Sequence, residues 1–174
     1  MASRPEQPDT RNGAHLSRAT LADAPALQAM VNAAYTKYIP RIGRPPAPMN
    51  TDYAALIASS AEYDVHVLRA GPDSDAVVGA IILADHAHDD AVHVDNLVVD
   101  PAAQGRGYGR VLMDVAEVYA REKGRSALTL HTNEKMVENL GIYAKMGFVE
   151  VERRVEDGYH RVYFRKTLAV DLHS

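Results

Sequence analysis

Residues 94–117 read VDNLVVDPAAQGRGYGRVLMDVAE, and the fold depends on where this stretch divides. Its first part, through Leu97, Val98 and Val99, is β-branched and apolar, and Pro101 closes it. From Tyr108 the spacing changes: Val111, Leu112, Val115 and Tyr119 recur at helical intervals to a stop at Gly124, which predicts a helix over 108–123. Between the two lies Gln104-Gly105-Arg106-Gly107-Tyr108-Gly109-Arg110, with three alternate glycines just where a strand turns into a helix. A helix N-terminus offers unpaired N–H groups and a partial positive charge, and glycines let the backbone approach a phosphate without Cβ clashes. The loop therefore suits a phosphate-bearing cofactor. It fails the Walker pattern, because counting from Gly105 the second required glycine is Arg110. It also fails the dinucleotide fingerprint: the third glycine is Arg110 or Leu112 depending on the start, and Thr129 stands where an acid is expected.

Working outward, 91–99 is preceded by short β-rich runs at 64–70 and 77–84 separated by Gly71, Pro72 and Asp73, a pattern that predicts an antiparallel meander. A further run, 126–131, follows the helix. Strand, helix and strand in about forty residues make a βαβ unit, so 91–99 and 126–131 must be parallel if they share a sheet. Val137, Leu140 and Tyr143 predict another helix over 134–146, ending at Gly147, and Asp157-Gly158 joins strands 148–155 and 159–167 in a hairpin. Toward the N-terminus, Thr20 and Asp23 have capping-box spacing ahead of a helix over 21–36. Pro40, Gly43, Pro45, Pro46 and Pro48 break that helix into a stiff loop, after which Tyr53, Leu56 and Ile57 suggest a short second helix. Residues 1–14 and 169–174 read as polar tails around one domain, 15–168.

The composition agrees with a single soluble unit of 174 residues, 47% hydrophobic and 24% charged. A formal charge of −4 lacks the basic excess that a nucleic-acid partner requires. No run approaches the ~20 apolar residues needed to cross a bilayer, and Met1 to Asn12 hold no apolar leader. The absence of cysteine excludes disulfides, thiolate metal sites and a cysteine nucleophile, and with the missing leader points to the cytoplasm.

Gln104, Gly107 and Gly109 match, in register, the Gln/Arg-x-x-Gly-x-Gly/Ala loop of the GNAT superfamily of acyl-CoA-dependent N-acetyltransferases, and the chain resembles that family over about residues 15–168. The "LVVDP" strand end and the later "NLGIYAKMGF" extend the resemblance. It implies an α/β (α+β) domain with a mixed, mostly antiparallel sheet of about seven strands, a parallel splayed central pair and about four helices. It further implies acetyl-CoA as cosubstrate, bound by the loop residues Gln104, Gly105, Arg106, Gly107, Tyr108, Gly109 and Arg110 and by the backbone of Leu97, Val98 and Val99. The acceptor would be an amine of a small molecule, amino acid or protein, and a homodimer is compatible with the reading.

By the same resemblance Tyr143 is the general acid that protonates the departing thiolate, although Tyr143 at helical spacing from Val137 and Leu140 also reads as core. The family often has Asn seven residues earlier, where this chain has Met136; Asn139 or Asn133 would substitute, Asn133 equally being a helix cap. For the base, His93 and Asp95 alternate on one strand face near where some members keep a carboxylate, and His131 ends the facing strand. The run from His86 to Asp95 has a metal-binding composition but reads more simply as a solvated turn, so no metal is expected. Acceptor walls would come from Tyr35, Tyr38, Arg41, Arg44 and Tyr159. The alternatives to an enzyme are a non-catalytic acyl-CoA-binding module, which would need the glycine loop alone, and a nucleotide-binding regulator, which the failed phosphate motifs oppose.

Overall fold

The structure, a computed structural model, describes residues 13–71 and 73–169. Of the expected tails at 1–14 and 169–174, residues 1–12 and 170–174 lie outside the described residues, while Ala14 is 2% exposed and packs into the core.

Seven strands form one sheet: β1 (His15–Arg18), β2 (Tyr63–Gly71), β3 (Ser74–Asp85), β4 (Ala91–Val99), β5 (Ala127–Asn133), β6 (Val149–Glu156) and β7 (Tyr159–Thr167), in the order β1-β2-β3-β4-β5-β7-β6. Every neighbouring pair is antiparallel except β4 with β5. The helices are α1 (Ala24–Tyr35), the single turn α2 (Ile39–Ile42), the short α3 (Tyr53–Ala58), α4 (Tyr108–Glu122) and α5 (Val137–Lys145). One core layer joins α4 and Tyr143 of α5 to Leu68, Ile81, Val92, Leu128 and Val162. A second, on the opposite face, joins α1 and α3 to Val65, Val67, Ala80, Ile82 and Val98. At Gly79 an added Cβ would meet Leu112 Cδ1 at 3.0 Å, so the Leu112 side chain of α4 packs tightly over β3 and would have to shift by a few tenths of an ångström to admit one.

Two irregularities in β4 position the site. It pairs with β5 only from Ala91↔Ala127 to Val94↔Leu130, after which Asp95–Val99 and His131–Asn133 run on unpaired with each other. The central pair is therefore splayed. The second is a bulge: Val94 pairs with Leu83 and Asn96 with Ile82, leaving Asp95 as an extra residue. Before the bulge Val94 faces the α4 layer, and beyond it Leu97 does, whereas Asn96 and Val98 turn toward α1. Regular alternation, which would place His93 and Asp95 on one face, is thus interrupted at Asp95 itself.

One strand has no counterpart in the sequence expectation, and two helix boundaries differ from it for local reasons. The β1 strand is short and mixed in polarity, and only its register with β2 defines it. The first helix opens as a 3-10 turn at Leu21–Asp23, where the Thr20 N–H donates to Asp23 Oδ2 at 2.8 Å. The expected helix start at 134 is displaced to Val137, because Asn133 Oδ1 accepts from Lys135 N–H at 2.9 Å and the Met136 N–H donates to the Asn133 carbonyl at 3.0 Å. Those bonds hold residues 133–136 in a turn that ends β5.

Candidate active site

The glycine loop separates into two physical requirements. Gly105 and Gly107 have φ of +85° and +81°, the left-handed region in which a side chain is strained. Gly107 is the N-cap of α4, and the first intrahelical bond is Val111 N–H to the Gly107 carbonyl at 3.2 Å. The N–H groups of Tyr108, Gly109 and Arg110 consequently have no helical acceptor and form the positive end of a fifteen-residue helix. Gly109 is different: its φ is not positive, and the nearest atom to an added Cβ is Met146 Cε at 3.9 Å. The fold does not require glycine there, and glycine in a helix is a cost.

These amides open onto a groove of about 540 Å³ bounded by Gln104, Gly105, Gly107, Gly109 and Arg110 on one side and by Asn139 and Tyr143 of α5 and the following Met146 on the other. Leu97 and Val99 form its floor at the splay. The Asp100 N–H bonds to the Val78 carbonyl of β3 at 2.8 Å, so by strand alternation Val98 also faces β3 while the polar backbone of Leu97 and Val99 turns to the open side. The groove thus offers unpaired strand amides at one end and helix N-terminal amides at the other, a set of donors that fits a pantetheine arm and a pyrophosphate. Arg106 is exposed outside the groove lining and Val98 of β4 packs toward α1, whereas Tyr108 lines the groove and is 4% exposed, packed into the core.

Across the splay lies a chamber of about 300 Å³, lined by Asp95, Asn96, His131 and Arg161 and roofed by Ala47 and Pro48. A narrower recess of about 70 Å³ continues it toward α5. Asn96 is 7% exposed; it accepts from the Tyr35 hydroxyl at 2.8 Å and donates to the Tyr53 hydroxyl oxygen at 3.3 Å. This bond network fixes the strand beside the chamber. It escapes a sequence reading because Tyr35 and Asn96 are 61 residues apart.

Asp95 retains contact with solvent, yet the surrounding protein raises its pKa by desolvation, opposed by the charges of His93 and Arg161. His93 lies behind the chamber wall: its ring stacks on His131 at 5.4 Å and its Nδ1 is 3.0 Å from Thr129 Oγ1. Desolvation lowers the pKa of both imidazoles, that of His131 to about 4 with help from the His93 charge, so both are neutral at pH 7. Of the expected bases, Asp95 and His131 line the chamber and His93 does not.

Tyr143 is 9% exposed, with its ring against Phe148 and Phe164 at centroid distances of 5.9 Å. Its hydroxyl makes no hydrogen bond among the described residues, and desolvation lifts its pKa to about 12. Tyr143, Asn139 and Leu97 line both the groove and the recess, so the two cavities meet there. Asn139 Nδ2 donates to Thr132 Oγ1 at 3.4 Å, whereas Asn133 is spent on its turn and Met136 is buried as the N-cap residue of α5. In the His86–Asp90 loop Asp90 pairs with Arg165 at 2.6 Å, and among the described residues no three His, Asp or Glu side chains gather as a metal site. No described helix is long and apolar enough to cross a membrane.

The family model that matches is the acetyltransferase (GNAT) family, over residues 27–148. Among curated relatives, mycothiol acetyltransferase of Jonesia denitrificans is 33% identical over 91 residues, 52% of this chain and 29% of that protein. Peptidyl-lysine N-acetyltransferase YjaB of Salmonella typhimurium is 32% identical over 91 residues, 52% of this chain and 55% of that one. The chain thus spans at most about half the length of these relatives. The PaiA N-acetyltransferase of Thermoplasma acidophilum, solved in complex with coenzyme A, superposes with a TM-score of 0.70 at 15% identity, covering 90% of this chain and 99% of that one.

Proposed function

Because the chain belongs to the acetyltransferase (GNAT) family, we propose that it moves an acetyl group from acetyl-CoA to the nitrogen of an amine, with both held at once across the β4–β5 splay. One observation carries the proposal: the phosphate-suited groove and the recess that continues the acceptor chamber converge on Leu97, Asn139 and Tyr143. Acetyl-CoA supplies the activated acyl thioester. In the transfer a C–N bond forms and a C–S bond breaks, and the chain must dispose of one proton and deliver another.

An alkyl ammonium has a pKa near ~10, so only about one in a thousand is neutral at pH 7. Asp95 draws the ammonium into the chamber and accepts its proton, and the partial desolvation that raises the Asp95 pKa makes it a stronger base than an unperturbed carboxylate. The unpaired backbone N–H groups of Leu97 and Val99 stand where charge develops on the acyl oxygen. Tyr143, neutral throughout the physiological range, donates its proton to the departing sulfur. Closing the two reactants into one cavity supplies the orientation that substitutes for a bimolecular encounter.

The test combines binding and turnover. Acetyl-CoA at a hundredfold over its Kd should stabilise the protein by about 2.7 kcal/mol, a rise of roughly 5–10 °C in Tm for a chain of this size. Free thiol should then appear only when an amine is added. Stabilisation without thiol release for any amine in a broad panel would make the chain an acyl-CoA-binding module instead.

A further inference from the structure

We infer that the amine acceptor is a small molecule carrying a carboxylate, and that Arg161 is the residue that binds this carboxylate. The inference rests on the acetyl-transfer reading and names the acceptor class of that site.

The walls of the chamber are tied together. Arg41 of α2 forms a bidentate ion pair with Glu138 of α5, both bonds at 2.8 Å. On the other side the Tyr159 hydroxyl donates to the Pro45 carbonyl at 2.7 Å, and the Arg44 guanidinium lies 3.4 Å from the Tyr159 ring centroid while donating to the Asp157 carbonyl. Thus α2 is tied to α5, and the proline-rich segment that follows it is strapped to the β6–β7 hairpin. An extended polypeptide crossing the site needs these two walls apart. A chamber of about 300 Å³ stands at the lower end of ligand-site volumes and suits a small molecule.

The chamber's charges specify the molecule further. Among the described residues Arg161 is the only Lys or Arg lining the chamber or its recess, and Asp95 the only carboxylate. The Arg161 side chain is 16% exposed; its Nη1 donates to Glu156 Oε2 at 2.6 Å, while Nε and Nη2 make no hydrogen bond among the described residues. Neither nitrogen is sealed from solvent, so both are open to a ligand's carboxylate oxygens in a bidentate pair. No ion pair joins Arg161 to Asp95 among the described residues, so each keeps free capacity toward the space between them. A zwitterion satisfies both: its ammonium faces Asp95, and its carboxylate takes the open edge of Arg161. A diamine would set its second cation against Arg161. A phosphate dianion would meet Asp95 and Glu156 with one guanidinium to offset it.

The experiment uses the whole protein with acetyl-CoA and compares thiol release for α-amino acids, their carboxamides, diamines and a lysine-containing peptide. In parallel, the CoA-bound protein is titrated calorimetrically with N-acetyl amino acids and with their neutral amides. Carboxylates should exceed their matched carboxamides at least tenfold in kcat/KM. Arg161→Gln should bring that ratio close to one, and Arg161→Lys, which retains the charge, should keep part of it; an unchanged Tm rise with CoA shows that both variants are folded. Equal or better turnover of carboxamides, diamines or the peptide overturns the inference while leaving acetyl transfer intact. Carboxylate-selective binding that Arg161→Gln abolishes, without thiol release from any amine, upholds Arg161 as the carboxylate site and refutes the transfer reading.

Discussion

Gly109→Ala should make the protein more stable and a poorer binder of CoA, and the two effects have separate structural origins. Gly109 is the second residue of α4, its φ is not positive, and an added methyl would find only Met146 Cε at 3.9 Å among the described residues. Replacing glycine at such a compatible site stabilises by about 0.4–1 kcal/mol, mainly by restricting the unfolded chain. For a chain of this length that is roughly 1–4 °C in Tm. The same methyl projects beside the unpaired Tyr108, Gly109 and Arg110 amides, where a pyrophosphate must come within hydrogen-bond distance. Displacing it from one charged hydrogen bond costs about 1.5–3 kcal/mol, or about 10- to 100-fold in Kd. Gly107→Ala provides the contrast, because φ at that position is +81° and the fold itself should lose about 1–2 kcal/mol. Differential scanning calorimetry of the free proteins and titration with CoA separate the terms. If Gly109→Ala binds CoA as tightly as the parent, or if its Tm falls, the glycine serves the fold and the assignment of the groove is wrong.

Tyr143→Phe should keep the packing on Phe148 and Phe164 and the CoA affinity, yet lower single-turnover acyl transfer by about 10²–10⁴-fold; an unchanged rate would return Tyr143 to the core alone. Asp95→Asn should lower kcat/KM at neutral pH and remove the acid limb of the rate profile that the raised carboxyl pKa imposes, and persistence of that limb would assign it to another group. His131 has a folded pKa of about 4 against an ordinary 6.5, so below pH 6.5 the unfolded chain takes up a proton that the folded chain refuses. Stability is accordingly complete above pH 6.5 and is lost as pH falls toward 4. With the ring partly solvated, this loss is about 1–2 kcal/mol in excess of the His131→Asn variant's, measured by urea unfolding across that range; parallel pH curves for the two proteins would refute it.

What could be read along the chain is what depends on neighbouring residues. The strand-to-helix change at Gly105–Tyr108, the stops at Gly124 and Gly147 and the Asp157-Gly158 hairpin are dictated by local dihedral preferences: all five glycines at those stops and turns have positive φ, as does Asp157. The parallel pairing of β4 and β5 follows from the length of the crossover between them, and the seven-strand mixed sheet from that pairing together with the hairpins. The active-site details depend on contacts between distant segments. Nothing in the run VHVDNL marks Asp95 as a bulge, because the extra residue exists only in register with Ile82 and Leu83. His93 and Asp95 look equivalent in the sequence; burial behind His131 and access to the chamber distinguish them. Arg41 meets Glu138 across 97 residues and Arg44 reaches Asp157 across 113, so the strap that closes the chamber leaves no local signature. Secondary structure is set by short-range sterics that each residue carries with it, whereas the acceptor chamber arises where packing brings together side chains whose types predict no partner until the sheet has fixed their positions.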